Sequence, residues 1–248
     1  MFEIKNEFFE NGVAKIKIPL KEQDLKVQVE CLTKVVANLR EELKKYKNAE
    51  EELKKIQKKK TDQEKLKEDT AINSFEGTAF LNNDEKKLIS KWISPNKVIK
   101  FNLLFSTDKH GDSCSTFHYY CDGIFPTVTV ALDTSGRRFG GYSTQNWCQS
   151  TIGSGYSSAP DSFLFNLSNK KKYDLVKFKG TALYRGNSYG PLFGDGHALY
   201  LSDSCKSNTN SYCNITSTYN IGNNNLLGSS GKTNFQVSYY EVYHVIFE

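Results

Sequence analysis

Three patterns of apolar and polar residues follow one another along the chain. In the first, within residues 1–18, apolar and basic positions alternate after Asn11-Gly12, a dipeptide typical of tight hairpin turns. We therefore expect residues 1–21 to form an N-terminal extension that contains a short β-hairpin. A lone hairpin is marginally stable in water, so this one must rest on another part of the protein.

The second pattern, over residues 22–69, has the period of a coiled-coil helix. Apolar residues recur in steps of four and three, with mostly Val at the a positions of the heptad and mostly Leu at the d positions. This choice of residues favours a parallel two-stranded coiled coil. After Tyr46 the register slips, because Ala49, Leu53 and Ile56 continue it only through a three-residue step. The regular part is called the seam, and its residues are Leu25, Val29, Leu32, Val36, Leu39, Leu43 and Tyr46.

The seam predicts a protein partner, which can be a second copy of this chain or another helix. Three regular heptads are close to the minimum for a coiled coil, so a single solvated helix lying on its own domain is the alternative. Residues 1–74 carry 17 Lys and Arg against 15 Asp and Glu, whereas an arm that binds nucleic acid would be dominated by one sign of charge. We therefore expect no nucleic-acid partner.

The third pattern begins after a predicted linker at residues 70–80 and fills residues 81–248. A helix is predicted from Asn83 and ends before Pro95, and a second helix is predicted within residues 115–123. The remainder consists of short runs rich in β-branched and aromatic residues, separated by clusters of Gly, Asn, Ser and Asp. This arrangement predicts a mainly β domain of the antiparallel sandwich type. The predicted strands are 98–105, 127–132, 162–167, 175–183, 197–202 and 235–247.

Length and composition limit the class of protein. The 248 residues suffice for one sizeable domain with an extension, and no run approaches the roughly 18 apolar residues of a membrane span. The first twelve residues lack the apolar stretch of a secretory signal, so we expect a cytoplasmic protein. In that compartment the six cysteines are expected to be free thiols.

The stretch YGPLFGDGHALYLSD, at residues 189–203, has the composition of an active site. A phosphate-binding loop would require a Lys after the glycines and then a helix, whereas a strand is predicted here. Asp195 and His197 are close enough in sequence to form an acid–base pair, but neither a nucleophile elbow nor a third partner accompanies them. We interpret the stretch as a bend in which Gly194 and Gly196 supply positive φ.

The spacing of Cys114, His118 and Cys121 resembles half of a zinc site. The remaining ligands would have to be Cys205 and Cys213, whose spacing is too loose to predict a metal centre. We interpret Cys121 as a small buried side chain and His118 as a residue on the surface or on a helix face. No metal or other cofactor is therefore expected.

A basic pair precedes two glycines in the stretch that ends at Trp147. Arg137 and Arg138 could form a recognition patch, and the alternative is that Gly140-Gly141 permits a close backbone approach within a sheet. The second interpretation is favoured. Trp147 is expected to pack in the core.

Taken in order, several segments are similar to the TLDc domain family. They cover nearly all of residues 81–248, and the ordered set is more specific than any one of its members. The matching segments are LLFS at 103–106, FHYYCDGIFPTVTV at 117–130, GRRFGGYSTQNW at 136–147, DSFLFNL at 161–167, YGPLFGDGHALYLSD at 189–203, NSYCNITSTY at 210–219 and FQVSYYEVYHV at 235–245.

The resemblance implies a β-sandwich flanked by a few helices, with a coiled coil ahead of it as in some members of the family. It also implies a role in oxidation resistance or in binding the vacuolar proton pump, the V-ATPase, and no catalytic mechanism is established for the family as a whole. This chain has Asp195 where a glycine is usual and Ala198 where an acid is frequent, which weakens any catalytic role taken from the family. The family-motif residues, which we expect to be structural, are Gly123, Pro126, Gly140, Gly141, Trp147, Gly190, Gly194, Gly196 and His197.

These observations predict a non-enzymatic structural protein with protein partners and no small-molecule substrate. The coiled coil is expected to assemble it into a larger complex, such as a cytoskeletal one or the axoneme of a cilium. The alternatives are a regulator that binds the V-ATPase and an oxidation-resistance protein with thiol-dependent or catalytic activity.

Overall fold

The computed structural model describes residues 9–10, 13–14, 25–73, 75, 81–148 and 153–248. Two short strands, β1 (Phe9–Glu10) and β2 (Val13–Ala14), pair antiparallel, with Phe9 opposite Ala14. The rest of the predicted N-terminal extension lies outside the described residues, as do residue 74 and residues 76–80 of the predicted linker.

Helix α1 (Leu25–Asn73) contains 49 residues, which corresponds to about 74 Å at about 1.5 Å per residue. It continues to Asn73, beyond the predicted end at residue 69. Its sequence is rich in Leu, Glu, Lys and Gln, which all have high helix propensity. Exposed ion pairs one turn apart support it, such as those joining Lys34 to Glu30 (3.1 Å) and Lys54 to Glu50 (2.7 Å). Pairs of this kind stabilise a helix by about 0.2–0.5 kcal/mol each.

The first helix of the β-rich domain, α2 (Asn83–Ile93), begins at a capping box. The side chain of Asn82 accepts a hydrogen bond from the Glu85 N–H at 2.9 Å, and the Glu85 carboxylate accepts one from the Asn82 N–H at 3.0 Å. Glu85 also pairs with Arg138 at 3.0 Å, which ties the start of α2 to the sheet below it. Two shorter helices follow, α3 (Thr107–His110) and α4 (Cys114–Cys121), and the latter matches the helix predicted within residues 115–123.

The first β-sheet has six antiparallel strands. They are β3 (Ile99–Ser106), β4 (Thr127–Asp133), β5 (Arg138–Ser143), β7 (Phe163–Asn166), β8 (Lys171–Asp174) and β14 (Val237–Phe247). Their order is β3-β14-β4-β5-β7-β8, so the long last strand of the chain lies between β3 and β4.

The second β-sheet is made of strands of two or three residues. They are β6 (Gly155–Ser157), β9 (Leu183–Arg185), β10 (Leu192–Phe193), β11 (Leu199–Tyr200), β12 (Ser211–Cys213) and β13 (Thr233–Phe235). Their order is β13-β12-β11-β10-β9-β6, again with antiparallel pairing. Two antiparallel sheets with few helices confirm the predicted fold class.

The core lies in two layers, one on each face of the first sheet. Between the two sheets, side chains such as Phe139, Phe193 and Val242 form one buried cluster. On the other face, Tyr243 and its neighbours pack with Ile89 of α2 in a second cluster. Because both faces of the sheet are covered, strands such as β4 and β7 are buried at nearly every position.

The predicted linker contributes a core residue. Phe75 is buried, its ring stacks on that of Phe101 with centroids 3.7 Å apart, and its backbone forms a parallel bridge with Phe101. It also contacts Tyr243 edge-on at 5.4 Å. The interpretation of residues 70–80 as a linker was therefore wrong for Phe75, because this aromatic ring fills the space beside the outer face of the first sheet.

The strand predicted at residues 175–183 was also wrong. Leu175 forms an isolated bridge to Tyr219, residues Lys179–Thr181 form a short 3-10 helix, and of the predicted run only Leu183 belongs to a strand, β9. The alternation of apolar and basic side chains in this run imitates a half-buried strand, but no neighbouring strand is available to pair with it. Its side chains Val176 and Phe178 are exposed instead.

Gly140 in β5 marks the closest backbone approach in the first sheet. A Cβ atom at this position would lie 1.9 Å from the Thr129 carbonyl oxygen and 2.8 Å from the Phe165 ring. We expect Gly140→Ala to lower the free energy of unfolding by about 3 kcal/mol, since the strand itself must move. Gly155→Ala in β6 is the matched control, because a Cβ there meets nothing within 4 Å. Equal urea midpoints for the two variants would contradict the packing described here.

Candidate interaction sites

The seam lies exposed along the described part of α1. Its described side chains are between 43% (Leu39) and 73% (Tyr46) exposed, although side chains of this kind are usually buried. Residues three and four apart share one face of a helix, so these side chains form a single stripe. The side chain of Leu25 lies outside the described residues. The exposed members of the stripe are Val29, Leu32, Val36, Leu39, Leu43 and Tyr46.

The stretch at residues 189–203 forms a bend followed by a strand. Gly194 and Gly196 take positive φ (80° and 68°), as predicted, and His197 does so as well (64°), which the sequence did not indicate. A Cβ at Gly194 would lie 2.9 Å from that of Ala198. The chain then enters β11 rather than a helix, which is the element that a phosphate-binding loop requires.

The outer face of the second sheet carries a layer of tyrosine rings that the sequence analysis missed. Tyr156 faces Tyr184 across β6 and β9, and Tyr200 faces Tyr212 across β11 and β12, with ring centroids 5.2 and 5.5 Å apart. Tyr189 bridges the two pairs, at 5.2 Å from Tyr184 and 5.9 Å from Tyr200. We call these five residues the tyrosine layer. Four of them directly adjoin a buried residue of their own strand, so alternation in the short strands was the available signal.

His197 lies within the tyrosine layer. Its ring stacks on Tyr212 at 5.8 Å and lies 5.9 Å from Tyr184 and 6.1 Å from Tyr200. Aromatic surfaces that carry polar groups are typical of protein interfaces, where tyrosine supplies a large contact area at a small cost in side-chain entropy. The arrangement is therefore suited to recognition by contact.

The geometry gives little support to an Asp195–His197 acid–base pair. The hydrogen-bond partner of His197 Nδ1 is the Tyr212 hydroxyl. Burial and the charge of Lys232 lower the pKa of His197, while Asp195 acts in the opposite direction. Lys232 itself lies over the ring of Tyr212, with Nζ 3.8 Å from the ring centroid.

The other family-motif residues have visible packing or backbone roles. A Cβ at Gly190 would lie 2.5 Å from the Leu201 carbonyl oxygen, and one at Gly141 would lie 2.6 Å from the Phe193 ring. Trp147 is buried, as predicted, and its Nε1 donates a hydrogen bond to the Thr127 hydroxyl at 3.0 Å. The remaining two are Gly123, with a φ of 77° just after α4, and Pro126, which follows a cis peptide bond.

The basic pair is used inside the domain. Arg137 pairs with the buried Asp133 at 2.6 Å, and Arg138 pairs with Glu85 at 3.0 Å. Both guanidinium groups are therefore committed to internal ion pairs, which favours the structural interpretation over a recognition patch.

His118 lies on α4 and is buried, so of the two interpretations, a surface residue or a helix-face residue, the first was wrong. Nδ1 contacts the Asp122 carboxylate at 2.7 Å, and Nε2 contacts the carbonyl oxygens of Tyr189 (3.0 Å) and Gly186 (3.1 Å). Every partner is an acceptor, so the doubly protonated ring fits this site best. Burial works to lower the pKa, but Asp122 and the two carbonyls outweigh it and the pKa of His118 is raised.

The cysteines of the domain core are poor nucleophiles. Burial, with the nearby carboxylate of Asp203, raises the pKa of Cys114 to about 12, and burial raises that of Cys205 to about 12. Burial also raises the pKa of Cys121 and Cys213. Because the thiolate is the reactive form, these environments suppress thiol chemistry. Cys148 is exposed and Cys31 is half-exposed.

Two searches of the described residues bear on the predicted classes. No three His, Cys, Asp or Glu side chains within them are grouped so that they could hold a metal ion. None of the helices in the described ranges is both long and apolar enough to span a bilayer.

The fold and its exposed surfaces define a two-sheet domain of the protein-interaction type, preceded in sequence by a long helix. Comparison with family models matches the TLDc domain over residues 74–246, well over half of the chain. The chain belongs to the TLDc domain family. The match begins ahead of residue 81, where the domain was predicted to start, and so includes the buried Phe75.

One curated relative shares a short segment with this chain. The MTOR-associated protein MEAK7 of Danio rerio is 43% identical over 47 residues, which is 19% of this chain and 10% of the relative. The aligned segment therefore spans only a small part of that protein.

His118 gives a pH-dependent stability that can be measured. Its pKa is raised above the ordinary 6.5, so its contribution to stability is complete below pH 6.5 and is lost as the pH rises through the native pKa. We expect His118→Gln to cost about 1.5–3 kcal/mol at pH 5.5, because charged hydrogen bonds are lost. The difference in the free energy of unfolding between this variant and the wild type, measured by urea unfolding, should become smaller towards pH 8.

His197→Gln is the control for this titration. The pKa of His197 is lowered, so its contribution to stability is lost as the pH falls below the ordinary value of 6.5. This pH dependence is opposite to that expected for His118. A His118→Gln difference that stays constant from pH 5.5 to 8 would show that folding does not shift the pKa of His118, which would contradict the hydrogen bonds described here.

Proposed function

We propose that this chain is a non-catalytic structural protein that assembles into a larger complex through the seam of α1. The observation that supports this is the stripe of heptad-spaced apolar side chains, each more than two-fifths exposed. Covering apolar surface of this kind is favourable by about 25 cal/mol per Å². The TLDc domain serves as a second interaction module, for which the tyrosine layer is the available surface.

The partner helix in this proposal is that of a second copy, parallel and in register. Val at a with Leu at d favours two parallel strands. In the same register Glu42 takes a g position and Lys47 the e position of the next heptad. A parallel pair brings g of one chain beside the following e of the other, so each Glu42 would face the Lys47 of its partner. Opposite charges there favour the homotypic pair.

Loss of the seam should abolish self-association. We expect Leu32→Lys with Leu39→Lys to convert a dimer of the full chain into a monomer, measured by sedimentation at micromolar concentration. Burial of each Leu side chain contributes about 1.5–3 kcal/mol, and the double variant removes four buried Leu side chains from the dimer. The Kd of the dimer should therefore rise more than about a thousandfold.

The matched control for the seam is Val27→Lys. Val27 is exposed on α1 and takes an f position, away from the seam. This variant should sediment as the wild type does. A wild-type chain that is monomeric at high concentration would refute homotypic pairing, and a seam variant that remains dimeric would place the contact elsewhere.

The charges beside the seam provide a second prediction about orientation. Glu42→Lys alone and Lys47→Glu alone each place like charges opposite one another in a parallel dimer, and we expect each to weaken it severalfold. The double variant restores opposite charges and should recover most of the affinity. Lys45→Glu, at a c position on the outer face, is the control and should have little effect. Failure of the double variant to recover would argue against the parallel register.

The cellular setting proposed for this complex is cytoplasmic, within a cytoskeletal assembly or the axoneme of a cilium. A helix about 74 Å long can serve as a strut between other components. Its many charged residues of both signs suit a helix that remains solvated outside the seam.

Family membership supports a second proposal, that the TLDc domain binds the V-ATPase as a regulator. The similarity to an MTOR-associated protein is compatible with such a regulatory role. The two proposals separate in a pull-down with the full chain that carries Leu32→Lys and Leu39→Lys. Assembly through the seam should be lost, whereas binding of the pump by the TLDc domain should be retained.

A thiol-dependent oxidation-resistance activity is the third proposal. The buried cysteines give it little support because their pKa values are raised, so it would depend on the exposed Cys148 or on Cys31. Peroxide consumption by the purified chain, compared with Cys148→Ser and Cys31→Ser, tests it. Consumption that neither substitution changes would remove the thiol mechanism.

A further inference from the structure

The segment after β8 displays apolar side chains where a strand was predicted. Val176 is 48% exposed and Phe178 is 58% exposed. They alternate with Lys177 and Lys179, which are also exposed. We call residues 176–179 the tip. Apolar residues scattered singly over a surface are ordinary, but two of them alternating with lysines in one exposed segment form a defined amphipathic feature.

The backbone holds the tip in an unusual conformation. Phe178 has φ 49° and ψ 51°, the left-handed region that bulky residues rarely adopt. Hydrogen bonds fix both sides of it, since the N–H groups of Val176 and Lys177 donate to the Thr218 carbonyl and the N–H of Thr181 donates to the Phe178 carbonyl at 2.7 Å. Strained residues held in this way are concentrated at functional sites. The tip is therefore a rigid feature with Phe178 already facing solvent.

The charges around the tip are mainly positive. Residues 170–179 contain five lysines and a single acid, Asp174. Asp174 is paired with Lys172 at 2.8 Å. Two other carboxylates reduce the positive charge around the tip. Asp195 interacts with Tyr156 of the neighbouring strand β6, and Asp161 lines a cleft of about 530 Å³ that Lys179 also lines.

We propose that the tip inserts into the surface of a membrane that contains anionic lipids. Phe178 and Val176 would enter the boundary between headgroups and acyl chains, while Lys177 and Lys179 would contact lipid phosphates. An apolar pocket on a protein would have to desolvate both lysines to accept the same side chains, which is costly unless each charge is paired. A lipid surface accepts both kinds of side chain at once. Tyr156, which is exposed beside the 3-10 helix, is suited to the same interfacial depth.

The experiment is co-sedimentation of the full chain with vesicles. Vesicles of phosphatidylcholine alone are compared with vesicles that also contain 30% phosphatidylserine, about 0.1 M salt being used throughout. We expect binding to the mixed vesicles and not to the neutral ones. Val176→Ser with Phe178→Ser should reduce the binding constant about tenfold, and Lys177→Gln with Lys179→Gln should reduce it by at least about fivefold.

Two controls separate the tip from other exposed or basic residues. Tyr119→Ser removes an exposed aromatic side chain of α4, and Lys58→Gln with Lys59→Gln removes two charges of α1. Both variants should bind the mixed vesicles as the wild type does. The proposal is overturned if the wild type does not bind them, if the tip variants bind undiminished, or if the α1 variant accounts for the loss.

A second measurement guards against a tip variant that has lost its fold. Phe178→Trp keeps an aromatic ring at the tip and adds a fluorophore. Its emission should be quenched by brominated lipids in mixed vesicles, above the level seen for the two native tryptophans of the wild type. No added quenching, with vesicle binding intact, would place the contact at another surface.

Discussion

The first sheet buries both of its faces, and most of the described domain depends on that constraint. The second sheet covers one face, while α2 and Phe75 cover the other. Two consecutive glycines in β5 make this possible, because neighbouring strand positions point to opposite faces. The missing side chain of Gly140 leaves room for the ring of Phe165 on the outer face, and that of Gly141 leaves room for Phe193 between the sheets.

Most of the described side chains considered as candidates for chemistry take part in the packing of the domain instead. Arg137 and Arg138 hold ion pairs, and His118 fastens α4 to the loop that contains Gly186 and Tyr189. Most of the thiols lie in the core, where burial raises their pKa. What the protein offers to other molecules is surface: an apolar stripe on α1, the tyrosine layer and the tip. This distribution fits a protein that acts by contact.

The sequence was sufficient to predict a structural feature wherever the interaction that stabilises it lies between residues close in sequence. The start of α2 was predictable from Asn82 and Glu85, whose hydrogen bonds span three residues, and the bend at Gly194 from the glycines themselves. His118 was misjudged because two of its three acceptors, the carbonyls of Gly186 and Tyr189, belong to residues about seventy positions away in sequence. The tip was misjudged because its alternating pattern is that of a strand, and only the absence of a pairing neighbour distinguishes the two. The tyrosine layer was missed because strands of two or three residues show alternation only weakly, and its pairs are formed between strands that are distant in sequence.

Phe75 has a consequence for how the domain can be isolated. β3 is an outer strand of the first sheet, and the parallel bridge between Phe75 and Phe101 lies on its open edge. An unpaired strand edge is a template on which strands from other molecules can add, which leads to aggregation. A fragment cut at residue 81 would keep nearly the whole family match and lose this cover. The practical boundary of the domain therefore lies before Phe75, within what the sequence presented as a linker.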